Sequence, residues 1–270
     1  MRRGEFGEPR ESGRMSVTRR AIVRRPSPRV AEGEVTHIDR RAMDVDLALT
    51  QYANYLTLLQ RHGVELIHAP EADEHPDGIF VEDALVVVGG QAILTRPGAA
   101  SRRGEIDTIR PLVESLGLPL ATIEAPGTLD GGDVLCVGRH VFIGLTTRTT
   151  TAAIEQFAAI VEPLGRTVVA VDVPGCLHLK SAITALPDGS LIAVRGWVDE
   201  TIFEAAGYRV HAAGEETGGD VLCLGTTVVL PADAPRTAEI IRNLGFDADP
   251  IDVGELQKIE AGVTCMSVLL

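Results

Sequence analysis

The sequence predicts an α/β fold, a five-bladed pseudo-symmetric α/β propeller built from ββαβ units. Three observations lead there. A strand, hairpin partner, helix and strand recur in that order along the chain. The inner strand of each unit opens on a small polar residue followed by an apolar run: Asp83-Ala84-Leu85-Val86-Val87, Asp133-Val134-Leu135-Cys136-Val137, Ser181-Ala182-Ile183-Thr184, Asp220-Val221-Leu222-Cys223-Leu224 and Ser267-Val268-Leu269-Leu270. The apolar end of the chain has to pair with the N-terminal strand to be buried, so first and last segments complete one unit. A single unit cannot bury its own faces. Copies must therefore close on one another, and a radial ring protects the strand edges.

The elements follow in order. Arg20 to Arg24 is a strand, and Pro26, Pro28 and Gly33 mark a loop after it. Asp39 to His62 carries Leu47, Tyr52, Tyr55, Leu56, Leu58 and Leu59 at helical spacing and stops at Gly63. Val64 to His68 is a strand, followed by an acidic loop from Glu71 to Gly78. Phe80 to Val88 reads as a strand returning through Gly89-Gly90 to Gln91–Thr95. Arg102 to Gly117 is a helix and Leu118 to Ile123 a strand. Leu129 to Gly138 and Val141 to Gly144 form a hairpin, with a helix from Thr149 to Leu164 and a strand from Thr167 to Val171. His178 to Thr184 pairs with Leu191 to Val194 across Pro187-Asp188-Gly189. A helix over Val198 to Ala206 precedes a strand from Tyr208 to His211. Gly219 to Gly225 pairs with Thr226 to Leu230, Pro235 to Leu244 is a helix, Ala248 to Ile251 is extended, and Val253 to Ile259 makes a helical turn before the terminal cysteine strand.

Composition narrows the function. The 270 residues, 45% hydrophobic and 23% charged, describe an ordinary globular chain, and 4% aromatic content leaves its core to Val, Leu, Ile and Ala. A net charge of −13 argues against nucleic acid or an anionic membrane as the main partner and suits a small cationic ligand. No apolar stretch is long enough to span a bilayer. The arginines of the first 20 residues are not followed by an apolar core, so they do not read as a signal peptide. Residues 1–15 are expected to be a disordered leader or an expression remnant, with Met15 as the natural start and 16–270 as a single catalytic domain. Cys136, Cys176, Cys223 and Cys265 form no Cys-x-x-Cys pair, which suits a reducing, cytoplasmic setting. The seven histidines show no ligand spacing, so no metal and no cofactor is expected. A homodimer is compatible with the sequence.

The repeat register points to chemistry. Three positions before each polar opening residue stand Phe80, Asp130, His178, Thr217 and Thr264, the last adjacent to Cys265. In a radial fold equivalent positions converge, so Asp130, His178 and Cys265 should meet at the axis. A cysteine beside a terminal strand is by residue type more often packing than nucleophile, and an isolated histidine more often structural. The shared register lifts Cys265 and His178 above that background, while mid-strand Cys136 and Cys223 stay packing residues. Cys265 needs a base or cation nearby to become a thiolate, His178 can supply or accept a proton, and Asp130 can orient the ring. Glu82 and Asp83 interrupt an apolar run, and with Asp77 they form a carboxylate cluster that a cationic ligand would neutralise. Arg102 and Arg148 follow the hairpins of two neighbouring units, where each is able to clamp a carboxylate.

At these residues the chain resembles the dimethylarginine dimethylaminohydrolases of the guanidino-modifying pentein superfamily. The motifs run in order from about Arg20 to Leu270: Phe80-Val81-Glu82-Asp83, Thr95-Arg96-Pro97-Gly98 with Ser101-Arg102-Arg103, Leu129-Asp130-Gly131-Gly132-Asp133-Val134-Leu135, Leu177-His178-Leu179-Lys180-Ser181, and Thr264-Cys265 with Ser267-Val268-Leu269. The resemblance implies the same five-bladed fold. It also implies hydrolysis of Nω,Nω-dimethylarginine and Nω-monomethylarginine to citrulline and an alkylamine through a covalent thiouronium. Carried over by position, Cys265 is the nucleophile, His178 the general acid and base, and Asp130 its partner. Asp77, Glu82 and Asp83 contact substrate, Arg102 and Arg148 bind its carboxylate, and the backbone carbonyls of Ile259 and of a lid residue near Val35 complete the set. Related deiminases carry an acid where this chain has Lys180, and arginine deiminases an extra helical insertion that 270 residues leave no room for. The alternatives are an arginine deiminase-like hydrolase of another guanidine and a non-catalytic propeller that binds a partner.

Overall fold

The computed structural model describes residues 19–270, so the expected leader and Met15 lie outside the described residues. The chain begins with β1 (Arg20–Val23), α1 (Val45–Arg61) and β2 (Glu65–His68). Three units of one design follow: α2 (Val81–Ala84), β3 (Leu85–Val88), β4 (Gln91–Leu94), α3 (Glu105–Ser115) and β5 (Leu120–Thr122); then β6 (Val134–Val137), β7 (His140–Leu145), α4 (Thr151–Val161) and β8 (Thr167–Asp172); then α5 (Leu179–Ala182), β9 (Ile183–Ala185), β10 (Leu191–Ala193), α6 (Glu200–Ala205) and β11 (Val210–Ala212). A fourth unit holds β12 (Leu222–Leu224), β13 (Thr227–Pro231), α7 (Pro235–Asn243) and β14 (Asp247–Ile251). The chain closes with α8 (Gly254–Gln257) and β15 (Val268–Leu269).

These strands form five three-stranded sheets, each with an inner strand antiparallel to the middle one and an outer strand parallel to it across a helix. The C-terminal strand completes the first sheet, with Ile22 opposite Val268 and Ala21 opposite Leu269. The result is the five-bladed α/β propeller. Gly89 and Gly90, both at positive φ (59° and 84°), make the tight turn between β3 and β4 that matches strand twist.

The apolar cores lie between neighbouring blades. Val268 and Ile22 of the ring-closing sheet pack with Leu85, Leu94 and Ile109 of the next blade. Phe142, Val171 and Phe203 join the second repeated unit to the third. This is why the units do not stand alone: each blade supplies half of two cores, and burial of apolar area at the seams holds the ring.

The sequence expectation fails at one recurring place. Phe80 to Val88 is not one strand, because Val81–Ala84 is a single helical turn and the strand begins at Leu85. The same turn precedes β6 (Gly131–Asp133) and β9 (Leu179–Ala182), and Glu216–Gly219 makes one before β12. The turn folds the polar opening residue back toward the neighbouring blade. The Asp83 carboxylate accepts the Gly132 N–H (2.9 Å), Asp133 the Leu179 N–H (3.0 Å) and Asp220 the Thr264 N–H (3.0 Å). In these three blades the aspartate ties its own blade to the next through a buried hydrogen bond. Cys265 likewise sits in a turn ahead of a two-residue strand. The helix expected from Asp39 begins at Val45, where the Asp44 side chain caps it by accepting the Leu47 N–H (3.0 Å).

Candidate active site

The residues before those turns converge as the register predicts. Asp130 and His178 stand at the heads of their turns, and the His178 ring Nε2 lies 3.1 Å from Asp130 Oδ2. Asp130 is itself fixed, accepting the Gly98 N–H at Oδ1 (2.8 Å), with Arg148 Nη1 3.5 Å from Oδ2. Gly132 lies against the face of the imidazole: a Cβ there would come 2.6 Å from Nδ1, so only glycine lets the ring occupy this place. One small buried pocket, about 20 Å³, is lined by Asp77, Asp83, Arg102, Arg148, His178 and Cys265. Among the described residues no hydrogen bond joins Cys265 to His178; the Cys265 Sγ accepts from the Gly262 N–H at 3.4 Å.

Electrostatics divides the work. Burial disfavours a charged His178 ring, but Asp83, Asp130 and Asp133 around it outweigh that and hold its pKa up at about 9. The ring is an imidazolium at neutral pH. Burial also pushes the Cys265 thiol well above its ordinary range, and the carboxylates of Asp220, Glu82 and Asp83 push it further. The resting pair is therefore thiol and imidazolium. Asp83 is also buried, yet the charges of His178 and Arg102 hold it down to about 2, so it is an anion at all working pH values. Asp77, raised to about 6 mainly by burial, is an anion at neutral pH as well.

Asp83, Asp130 and His178 bring ligand atoms within 4.8 Å of one another, which makes them the group of the described residues able to hold a metal ion. Arg102 on Asp83 and Arg148 beside Asp130 already supply positive charge to these carboxylates.

Other expected residues fall elsewhere. Glu82 does not face the pocket. Its carboxylate pairs with Lys180, accepts from Thr264 Oγ1 (2.9 Å), and borders a second cavity among the inner strands. The helical turn at Val81–Ala84 sends Glu82 and Asp83 in different directions, which a strand of the same sequence also does but toward other neighbours. Arg102 is buried and mostly committed: Nη1 donates to Asp83 (2.7 Å), while Nε and Nη2 clamp Glu105 (2.9 Å each). It orients Asp83, and most of its donors are unavailable to a ligand carboxylate. Ile259 lines the pocket. Val35 does not; it packs on the core, and Glu34 takes its place at the pocket wall.

The lid segment around Val35 is latched by a residue that no sequence motif marks. Glu260 adopts φ 64°, a left-handed conformation rare for a residue with a Cβ. Its carboxylate accepts three successive backbone N–H groups, from Thr36 (2.8 Å), His37 (2.5 Å) and Ile38 (3.1 Å). Asp77 takes the Glu34 N–H (3.1 Å) and Arg148 Nη2 donates to Thr36 Oγ1 (2.9 Å), so two pocket residues also hold the lid. The space left is about that of a water molecule, so an amino-acid ligand enters only when the lid moves. Glu260→Ala should raise KM at least tenfold while changing kcat less, since the loss of even one charge-assisted bond to the lid, about 1.5–3 kcal/mol, is worth that much in closed-state stability. Steady-state kinetics checks this; an unchanged KM would show that Glu260 does not hold the closed lid.

The chain is similar to known proteins along most of its length. The family profile described as N,N dimethylarginine dimethylhydrolase, eukaryotic, matches residues 36–185. The N(G),N(G)-dimethylarginine dimethylaminohydrolase of Streptomyces coelicolor is 46% identical over 254 residues, covering 94% of this chain and 97% of that one. Two solved structures superpose closely. One is a dimethylarginine dimethylaminohydrolase variant with histidine replaced by glycine, in adduct with S-methyl-L-thiocitrulline (TM-score 0.88, 32% identity, 93% of this chain and 99% of that one). The other is the Pseudomonas aeruginosa enzyme with a cysteine replaced by serine, complexed with citrulline (TM-score 0.86, 33% identity, 93% and 98%).

Proposed function

The chain belongs to the dimethylarginine dimethylaminohydrolase family, and from that premise we propose how its own residues carry the reaction. It is a hydrolase that cleaves a C–N bond of a methylated guanidinium, converting Nω,Nω-dimethylarginine or the monomethyl form to citrulline and an alkylamine. The observation that supports the site assignment is the meeting, in one buried pocket, of Cys265 with the anion Asp83 and with His178, whose ring is held from behind by Asp130.

The guanidinium enters against Asp83, and Asp77 takes the α-amino end. Arg148 has donors left for the α-carboxylate, and Arg102 keeps Asp83 aimed. The bound cation offsets the carboxylates that oppose ionisation of Cys265, so its pKa falls and the thiol gives its proton to solvent. The thiolate forms a bond to the guanidinium carbon. The C–N bond to the dimethylamino group breaks as the His178 imidazolium protonates the departing nitrogen, leaving a covalent thiouronium. The now neutral ring takes a proton from water. The hydroxide adds to the same carbon, the hydroxyl proton passes to the sulfur as the C–S bond breaks, and citrulline leaves with Cys265 again a thiol. Asp130 keeps the ring oriented throughout.

Two measurements test this. Dimethylarginine should give citrulline and dimethylamine, while arginine, whose products are citrulline and ammonia, should turn over far more slowly; equal or faster turnover of arginine would make the chain a deiminase. The reaction needs His178 protonated, so kcat should fall as pH rises through about 9. The same shift fixes the sign for stability: a histidine raised above its unfolded value of about 6.5 stabilises the fold fully below that value and loses the contribution as pH rises through about 9. A His178 ring that titrates at about 6.5 by NMR would mean that the carboxylates do not hold the imidazolium.

We read the enzyme as cytoplasmic, since all four cysteines are free and no helix among the described residues is long and apolar enough to cross a membrane.

A further inference from the structure

Asp220 is buried, lies next to the nucleophile's turn, and has no part in the chemistry above. Its Oδ1 accepts the Thr264 N–H (3.0 Å), and its Oδ2 lies 3.2 Å from Thr264 Oγ1. The same hydroxyl lies 2.9 Å from Glu82 Oε2. A threonine hydroxyl has one proton to give. If Oγ1 donates to Glu82, the nearer oxygen, it presents only lone pairs to Asp220. A carboxylate anion there would face those lone pairs, whereas a carboxylic acid would donate into them. Among the described residues no cation lies within ion-pair distance of Asp220, because the Lys180 ammonium is paired with Glu82. Gly262 closes another side so tightly that a Cβ there would come 1.9 Å from Oδ2. The remaining side borders a cavity of about 460 Å³ beside the lid, a route for the proton to exchange.

We infer that Asp220 is a positioning residue that works as the neutral acid. Its O–H donates to Thr264 Oγ1, whose own O–H donates to Glu82, and this one-way chain fixes the Thr264–Cys265 turn while keeping a negative charge away from the sulfur. Ionised groups facing it from other elements are Glu82 on α2 and Lys180 on α5, and the neutral Tyr55 phenol of α1 and the Cys265 thiol also lie near. Burial first, and the Glu82 charge second, push the Asp220 carboxyl up to about 7. Below that pH it is neutral. As pH rises through it, an anion appears beside Cys265 and opposes thiolate formation, and of the charges acting on that thiol it is the foremost. The linkage has the same sign: a raised carboxyl stabilises the fold below about 3.9 and loses that contribution as pH rises through about 7.

The test uses Asp220→Asn, whose amide donates where the acid O–H did and accepts from Thr264 N–H. Infrared difference spectra of the wild-type protein should show a protonated-carboxyl band that fades between about pH 6 and pH 8 and is missing in the variant. Alkylation of Cys265 by iodoacetamide, located by peptide mass, should proceed equally in both proteins near pH 6 and become about tenfold faster in the variant by pH 8.5, a shift of about one pKa unit. Should Asp220→Asn fail to fold, ¹³C-aspartate titration of the wild type, with Asp220→Glu to assign the signal, gives the same answer. Absence of a band at pH 6, a carboxyl titrating near 4, or an alkylation ratio constant with pH would overturn the inference. Neither readout needs turnover, so failure to release citrulline would overturn the proposed function and leave this inference standing.

Discussion

Cys265→Ser is expected to abolish citrulline release, by about 10⁴-fold or more, while the protein stays folded. Serine is nearly the same size, and the partners of Cys265 itself are backbone groups: the Gly262 N–H on the sulfur and the Glu82 N–H on the carbonyl (3.3 Å). The fold therefore has no reason to notice the change. The chemistry does, because a thiol can be ionised by a bound cation near neutral pH and a serine hydroxyl cannot. No neutral base waits beside Cys265 to take the hydroxyl proton, since His178 is already an imidazolium with its pKa near 9. Kinetics and thermal denaturation of both proteins decide it. Activity within about tenfold of wild type, with Tm unchanged, would remove Cys265 from the nucleophile's role.

The largest expected effect on stability lies behind the pocket. Lys180 and Glu82 form a largely buried ion pair, each side chain 13% exposed, at the edge of the inner-strand cavity, and each is the other's main compensation. Burial raises the Glu82 carboxyl even with its partner in place. Lys180→Met keeps the length of the side chain and removes the charge, leaving Glu82 with Thr264 alone. Breaking such a pair on one side costs about 3–5 kcal/mol, which in a chain of this size lowers Tm by about 6–20 °C. The double variant Lys180→Met with Glu82→Leu should recover much of the loss, since two apolar groups leave no orphaned charge. Denaturation of the wild type and the two variants checks the order. A single variant as stable as wild type would mean that Glu82 takes a proton at little cost.

How much of this was written in the sequence depends on the kind of feature. The ring was legible because five copies of one pattern cannot be buried singly, and the terminal Val268-Leu269 had to find Ile22 and Ala21. The meeting of Asp130 and His178 followed from register alone. The turns at Val81–Ala84 and Leu179–Ala182 were not legible, because four residues are too few to show helical period and their apolar content reads as strand. That error matters at Glu82. The resemblance made it a substrate contact, and side-chain direction pairs it with Lys180 instead. Asp133 and Asp220 stood in plain view at the repeat's polar position, yet only the structure shows that each reaches across to the next blade. Lys180 signalled a family branch but not its buried partner. Glu260 gave no sign at all, since its three lid contacts are made to backbone more than 200 residues away.

The central claim is a covalent bond between Cys265 and the guanidinium carbon, and it is tested most directly by stopping the wild-type enzyme with acid during turnover of dimethylarginine and weighing its peptides. A thiouronium mass on the peptide holding Cys265, lost when the reaction runs to completion and absent in Cys265→Ser, is the predicted result. Turnover with no adduct, or an adduct on Cys136, Cys176 or Cys223, would contradict it.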